Sequence, residues 1–260
     1  MKIGFIGLGN MGSAIVKGIH KQRVEGIELL GYNPHQEKAV QLEQQCGLQV
    51  CDSDETVAEQ SDVLVLAVKP QMTECVLPLL KAADGKLIIS VIAGKSLANL
   101  ESAFPHSAVV RIMPNINARV GGSITGICFG RFVTENQNQL TGQILSGIGE
   151  YIEIEERFAG IFSCIGGAAP AFTYTYINAV ADSALKEGMP KQLALEIAAQ
   201  SVLGSARMIL ESADHPKALA DQVCSPGGTT IEGMMKLSEL GFEHAIHEAI
   251  HAVIEKDKKL

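Results

Sequence analysis

The sequence predicts an α/β chain in two parts, an N-terminal doubly wound sheet followed by an all-α domain. Three observations lead there. From Met1 to about Glu155 short apolar runs alternate with amphipathic segments, the pattern of βα units. Runs such as Val63-Leu-Val-Leu-Ala-Val68 are apolar over nearly their whole length, as parallel strands covered on both faces are. Beyond about Arg157 apolar residues recur at helical spacing. A chain of 260 residues also sits where one large domain gives way to two. The expected division is 1–157 and 158–260.

The strands read in order as Lys2–Gly7, Ile27–Tyr32, Leu48–Cys51, Asp62–Val68, Lys86–Val91, Ala108–Met113, Ser123–Phe129 and Gly149–Ile154. Helical patterns lie between them at Met11–Lys21, Gln36–Gln45, Met72–Leu80 and Glu135–Gly147. In the second part, helices are expected over Thr173–Lys186, Lys191–Glu211, Pro216–Val223 and Phe242–Lys258. They are broken at Gly188-Met-Pro190, Asp214-His-Pro216, Ser225-Pro-Gly-Gly228 and Gly241. The run Ala194-Leu-Glu-Ile-Ala-Ala199 is apolar around most of a helix, which implies burial against another helix or another subunit.

Composition excludes several classes. Hydrophobic residues make up 47% of the chain, too many for disorder. Lys and Arg total 21 against 29 Asp and Glu, a formal net charge of −8, which disfavours nucleic acid. Any phosphate must then be held locally. The basic run Lys256–Lys259 is interrupted by Asp257 and reads as a solvated helix end. Six cysteines without a CxxC pair suggest reduced thiols in a cytoplasmic protein. The N-terminus lacks a signal-peptide core, and no uninterrupted apolar span reaches the roughly 18 residues of a membrane helix.

The local phosphate site has an address. Gly7-Leu-Gly-Asn-Met-Gly12 follows the first strand and opens the first helix, so backbone N–H groups can approach a pyrophosphate there. The sheet is then Rossmann-type, with Ile6, Gly7, Leu8, Gly9, Asn10, Met11 and Gly12 against the cofactor. The second strand ends in Gly31-Tyr-Asn-Pro-His35. A neutral Asn33, with His35 and Lys38 nearby, replaces the carboxylate that would repel a 2′-phosphate, so NADP(H) is preferred, with NAD(H) as the alternative. The fourth strand ends in Ala67-Val68-Lys69-Pro70, at the carboxyl edge where such sheets bind ligands. His247-Glu-Ala-Ile-His251 matches a zinc-binding pattern, but with nine residues following it reads as a polar helix face, and no metal is expected. Cys224 reads as a small side chain lining a site.

Gly7–Gly12, Ala67–Pro70, Val110-Arg-Ile-Met-Pro-Asn115, Pro170-Ala-Phe172 and Asp221-Gln-Val-Cys-Ser-Pro-Gly-Gly-Thr-Thr-Ile231 occur in an order and spacing that resembles the pyrroline-5-carboxylate reductase family over essentially the whole chain. Ser225-Pro-Gly-Gly-Thr-Thr-Ile231 is the most specific element, because generic helix packing does not need it. The resemblance implies an NAD(P)H-dependent oxidoreductase that reduces the cyclic imine 1-pyrroline-5-carboxylate to L-proline. It also implies that Ser225, Pro226, Gly227, Gly228, Thr229 and Thr230 bind this carboxylate-bearing small molecule. Thr230 is the candidate catalytic residue, its hydroxyl bonding the ring nitrogen; the other reading of Thr230 is a helix cap. By the same resemblance Pro114 and Asn115 lie against the nicotinamide, Ser53 contacts the adenosine part, and the helical domains intertwine in a homodimer or larger homo-oligomer. The Ser225–Thr230 loop then meets the cofactor of a neighbouring subunit.

The chain departs from the family at Ile116-Asn117, where Thr-Pro is common, and at Gly166-Gly-Ala168-Ala169-Pro-Ala-Phe172, where Ser-Gly-Pro-Ala-Tyr is usual. Asn178 stands where an acidic residue is common, and Ser53 where an Asn often is. The departures at Ala168, Ala169 and Asn178 leave a non-catalytic NADP(H)-binding regulatory protein as one alternative; another, independent of them, is a reductase of the β-hydroxyacid dehydrogenase type using Lys186 or Lys191 of the helical part.

Overall fold

The computed structural model describes residues 1–23 and 25–258; Val24 and the last two residues, among them Lys259 of the basic run, lie outside the described residues. By contact the chain forms two compact units, Met1–Gly167 and a second beginning at Ala168. The change of sequence character at 157/158 precedes this division. Residues 158–167 belong with the first unit, where Cys164 is buried and the Phe162 ring lies over Gly126.

The first unit runs β1 (Lys2–Ile6), α1 (Asn10–Gln22), β2 (Glu28–Tyr32), α2 (Gln36–Cys46), β3 (Gln49–Val50), α3 (Asp54–Gln60), β4 (Val63–Leu66), α4 (Thr73–Val76), β5 (Leu87–Ser90), α5 (Leu97–Ala103), β6 (Ala108–Met113), β7 (Ser123–Phe129), α6 (Glu135–Ser146), β8 (Gly149–Glu153) and α7 (Ala159–Phe162). The described strands make one eight-stranded sheet in the order β3-β2-β1-β4-β5-β6-β7-β8. Strand order reverses between β1 and β4, and a crevice for ligands opens at such a switch point, outside the carboxyl ends of the strands.

The alternation of side chains explains the near-continuous apolar strands. Ile3, Phe5, Val63, Val65 and Ile89 point to one face and pack with Ile15 of α1, Leu42 of α2 and Leu145 of α6. Leu30, Leu64, Leu66 and Ile88 point to the other and pack with Val57 of α3 and Leu100 of α5. Each strand is therefore apolar at consecutive positions.

The structure corrects three expectations. β7 is antiparallel to β6, because the link between them is a short 3-10 turn, Ile116–Val120, and a parallel crossover needs a dozen residues or more. β8 returns to parallel pairing with β7 but leaves Glu150–Glu153 exposed, so the cover on both faces stops short of that edge. The expected helix Met72–Leu80 is broken into a 3-10 turn at Pro70–Met72, α4, and a second turn at Leu77–Leu79. Pro78 has no N–H to donate, and its ring would clash with the Glu74 carbonyl of a continuous helix.

The second unit consists of α8 (Ala169–Lys186), α9 (Lys191–Glu211), α10 (Pro216–Val223), α11 (Thr229–Glu239) and α12 (Phe242–Asp257). Ala181, Ala194 and Ala198, on the packed pair α8 and α9, are buried, whereas large apolar side chains such as Leu203 (63%), Met235 (64%) and Leu210 (86%) remain exposed in the single chain. By length and composition α9 is long and apolar enough to cross a bilayer, with a mean hydropathy of 1.3, although Glu196 and Arg207 lie along it. These charges keep it from being the uninterrupted apolar run that the sequence is expected to lack, yet its mean hydropathy alone passes for a span.

α3 is capped by Ser53, whose hydroxyl accepts the Thr56 N–H at 3.2 Å. In its first turn, burial and then the like charge of Glu55 push the Asp54 carboxyl up to about 6. A raised carboxyl favours the folded state while protonated, so its contribution is complete below the unfolded value near pH 3.8 and lost as pH rises through about 6. Asp54→Asn is expected to raise Tm over the native chain by about 2 °C at pH 8 and by nothing below pH 4 in parallel thermal scans.

Candidate functional site

The turn Gly7–Gly12 owes its shape to three glycines in different ways. Gly7 has φ +91°, and a Cβ there would stand 2.8 Å from the Ala67 carbonyl oxygen. A Cβ on Gly12 would stand 2.3 Å from the Gly7 carbonyl oxygen. At Gly9 an added Cβ would meet no atom within 4 Å. Gly7 and Gly12 thus let the backbone close on itself, while Gly9 leaves open space before the first turn of α1. That end carries no side-chain cap and no acidic residue, so its N–H groups face outward to an anion.

Asn33 stitches this turn to the next. Its Oδ1 accepts the Leu8 N–H at 3.3 Å and its Nδ2 donates to the His35 carbonyl at 2.9 Å. An aspartate could make the first bond but would set its other oxygen against the His35 carbonyl. Next to the turn, a cavity of about 410 Å³ between α1, α2 and the Ile116–Val120 turn is lined by Gly9, Asn10, Lys17, Lys21, Lys38 and Arg119, with no acidic side chain among its lining. In a chain of net charge −8, this local excess of cations raises anion concentration beside the turn.

The other expected cofactor residues of the first unit fall along the same carboxyl edge. Ala67 N–H donates to the Ile6 carbonyl at 2.9 Å, fixing Ala67 and Val68 beside Gly7. Lys69 is exposed just before the Pro70–Met72 turn and has no ion-pair partner among the described residues. Ser53 spends its hydroxyl on the α3 cap. Pro114 follows β6, and Asn115 is buried with both ends of its amide engaged: Oδ1 accepts the Asn117 N–H at 2.9 Å and Nδ2 donates to the Gly166 carbonyl at 2.9 Å.

In the second unit, Ser225-Pro226-Gly227-Gly228 forms a tight turn, with the Gly228 N–H donating to the Ser225 carbonyl at 3.0 Å and Gly227 at φ +69°. Proline then glycine at the two central positions is the chemistry of a type II turn. The cap position of α11 is Gly228, without a side-chain bond. Thr229 and Thr230 lie inside the first turn, which corrects the cap reading of Thr230. Its hydroxyl is exposed and without a partner among the described residues, above a second uncapped helix N-terminus.

Other candidates resolve plainly. Lys191 forms an ion pair with Asp182 and donates to Asn178 Oδ1 at 2.9 Å, while Asn178 Nδ2 donates to Asp182 at 2.8 Å. The Lys191 hydrogen bond holds the Asp182 carboxyl below its usual range. This lysine braces α8 against α9. His247, Glu248 and His251 sit on α12, and among the described residues no group of three potential ligands could hold a metal. Sequence reasoning did not single out Glu156, whose carboxylate pairs with Arg111 at 2.9 Å. The available signal was an arginine in an otherwise apolar strand, which calls for a counter-ion.

Residues 156–260 match a family model described as pyrroline-5-carboxylate reductase dimerisation, and residues 2–94 one described as NADP oxidoreductase coenzyme F420-dependent. A pyrroline-5-carboxylate reductase of Methanosarcina acetivorans is 39% identical, over 100% of this chain and 97% of the relative. The solved 1-pyrroline-5-carboxylate reductase of Streptococcus pyogenes is 36% identical with a TM-score of 0.89, over 100% of this chain and 99% of that one. The Plasmodium falciparum pyrroline carboxylate reductase, solved with NADP bound, is 30% identical with a TM-score of 0.89, over 100% and 97%.

The glycines separate binding from folding. Gly9→Ala is expected to leave thermal stability unchanged and to weaken NADPH binding about tenfold, read from cofactor fluorescence. Gly12→Ala is expected to lower stability by about 1–3 kcal/mol in urea unfolding, since the new methyl must displace backbone.

Proposed function

The chain belongs to the pyrroline-5-carboxylate reductase family, and from that premise we propose that it reduces the C=N bond of 1-pyrroline-5-carboxylate to give L-proline, the last step of proline biosynthesis, with NADP(H) preferred and NAD(H) accepted. The observation that carries this is a pair of uncapped helix N-termini, one behind the Gly7–Gly12 turn and one behind Ser225–Gly228. They offer one cradle for an anionic cofactor and one for an anionic substrate. The residues present fit a dinucleotide: Gly9 leaves the phosphate space clear, and Asn33 puts no carboxylate near a 2′-phosphate.

When bound, the reduced nicotinamide supplies a hydride to the imine carbon, and a proton on the ring nitrogen completes the amine. The chain's task is positioning. Ile6–Gly12, Asn33, Ser53, Ala67–Pro70, Pro114 and Asn115 hold the cofactor. Backbone N–H groups from Ser225 to Thr229 hold the substrate carboxylate, and the Thr230 hydroxyl hydrogen-bonds the ring nitrogen. No nucleophile or metal takes part in this scheme.

The enzyme works as a homo-oligomer. We read the exposed apolar surface of α9 and α11 as a contact between helical domains of two copies, not as a membrane span, with the Ser225–Thr230 loop meeting a neighbour's cofactor. The match of this part to a dimerisation model supports the reading. Six free cysteines, four of them buried, suit a cytoplasmic location.

Thr230→Ala is expected to lower kcat with the imine about ten- to a hundredfold, the value of one polar contact, with the KM for NADPH unchanged; unchanged kcat would leave Thr230 without a role in the chemistry. Leu203→Asp is expected to shift the protein from dimer or larger to monomer by light scattering. An unchanged mass would place the subunit contact elsewhere.

A further inference from the structure

The segment leaving β8 is fastened at three points around the end of β6 and its antiparallel neighbour β7. At its start, the Glu156 carboxylate accepts from Arg111 Nη1 at 2.9 Å and from the Leu97 N–H, the first residue of α5, at 2.7 Å. In its middle, the Phe162 ring lies over Gly126 so closely that a Cβ there would be 2.9 Å from it, and Gly126 is the residue opposite Met113 in the β6–β7 ladder. At its end, the Gly166 carbonyl, in a π-helical turn at Ser163–Ala168, accepts from buried Asn115 Nδ2 at 2.9 Å.

The anchors fall at Arg111, at Gly126 opposite Met113 in the β6–β7 ladder, and at Asn115, so the segment lies along the carboxyl end of β6 and its β7 neighbour. The first anchor is costly to lose. Arg111 is mostly buried and its Nε has no hydrogen-bond partner, so Glu156 supplies the counter-charge that makes the guanidinium tolerable there. A π turn is also less regular than an α turn and recurs at functional sites; here it turns a carbonyl toward Asn115. Such an arrangement exceeds what holding a surface connection requires.

We infer that residues 156–166 form a strap that positions the carboxyl end of β6 for hydride transfer, with Arg111, Glu156 and Phe162 as positioning residues. The inference rests on the reductase reading. In an open α/β sheet the ligand lies outside the carboxyl ends of the strands, and Pro114 is the first residue past β6. A displacement of about 1 Å in such a place costs up to roughly a hundredfold in rate without abolishing binding.

Glu156→Gln tests it, and Phe162→Leu does so independently of the ion pair. In cofactor-free protein, amide hydrogen exchange over 112–118 and 156–166 is expected to speed up about tenfold in either variant, with β1 and β4 unchanged. The same variants are expected to lose ten- to a hundredfold in kcat while the Kd for NADPH, from fluorescence, moves less than about threefold. Native-like exchange and kcat in folded variants would overturn the inference. A loss of NADPH affinity equal to the loss of kcat would too, since it would mark a direct cofactor contact. Rapid exchange over 156–166 in the unaltered chain would overturn it even if neither variant folds. An unaltered protein unable to oxidise NADPH with the imine would overturn the reductase reading, and the strap's role with it.

Discussion

Between β1 and β4 the backbone approaches itself so closely that no methyl group fits. The Gly7 turn presses on the Ala67 carbonyl, and Gly12 presses on Gly7. This contact brings the N-terminus of α1 down to the switch point of the sheet, leaving its N–H groups aimed over the strand ends. Though the chain is acidic overall, Lys17, Lys21, Lys38 and Arg119 gather positive charge beside the turn. The turn adds peptide dipoles, and it can present them because glycine stands at the two crowded positions and at the open one. Asn33 and Ala67 then hold the neighbouring turns in register with that first one.

The same solution appears in the helical unit. A Pro-Gly-Gly turn delivers the start of α11 without a side-chain cap, and Thr230 stands in its first turn with an unspent hydroxyl. Both helix starts thus leave peptide N–H groups without a side-chain cap. The apolar surface of α8 to α12 has a different cause. Within the chain α8 and α9 touch through the alanines Ala181, Ala194 and Ala198, which bring them close but bury little area, so the larger side chains remain for another copy to cover. That explains how a helix with the composition of a membrane span, α9, belongs to a reductase family.

Much of this was legible in the sequence because both faces of a doubly wound sheet are covered, which leaves uninterrupted apolar runs, and because dinucleotide turns need glycine at fixed spacing. β6 and β7 have the expected bounds, Ala108–Met113 and Ser123–Phe129. Direction was less legible than position: the antiparallel β7 follows from the length of a connecting turn, which the apolar pattern does not encode. Pro78 lies inside the expected helix Met72–Leu80 and breaks it, which apolar spacing alone does not register. Asn33, Ser53 and Asn115 were legible as candidates by position, but the bonds that brace Asn33 to Leu8 and Asn115 to Gly166 depend on contacts between distant segments. Glu156 was illegible for the same reason: its partners Leu97 and Arg111 lie far from it in sequence.

The central claim is that two peptide-lined anion cradles serve one reduction. It is tested most directly by mixing the purified protein with NADPH and 1-pyrroline-5-carboxylate, following reduced cofactor by absorbance and quantifying proline. The account predicts one proline formed for each NADPH consumed, with kcat/KM higher for NADPH than for NADH. Saturable NADPH binding without oxidation, or oxidation without proline, would contradict it.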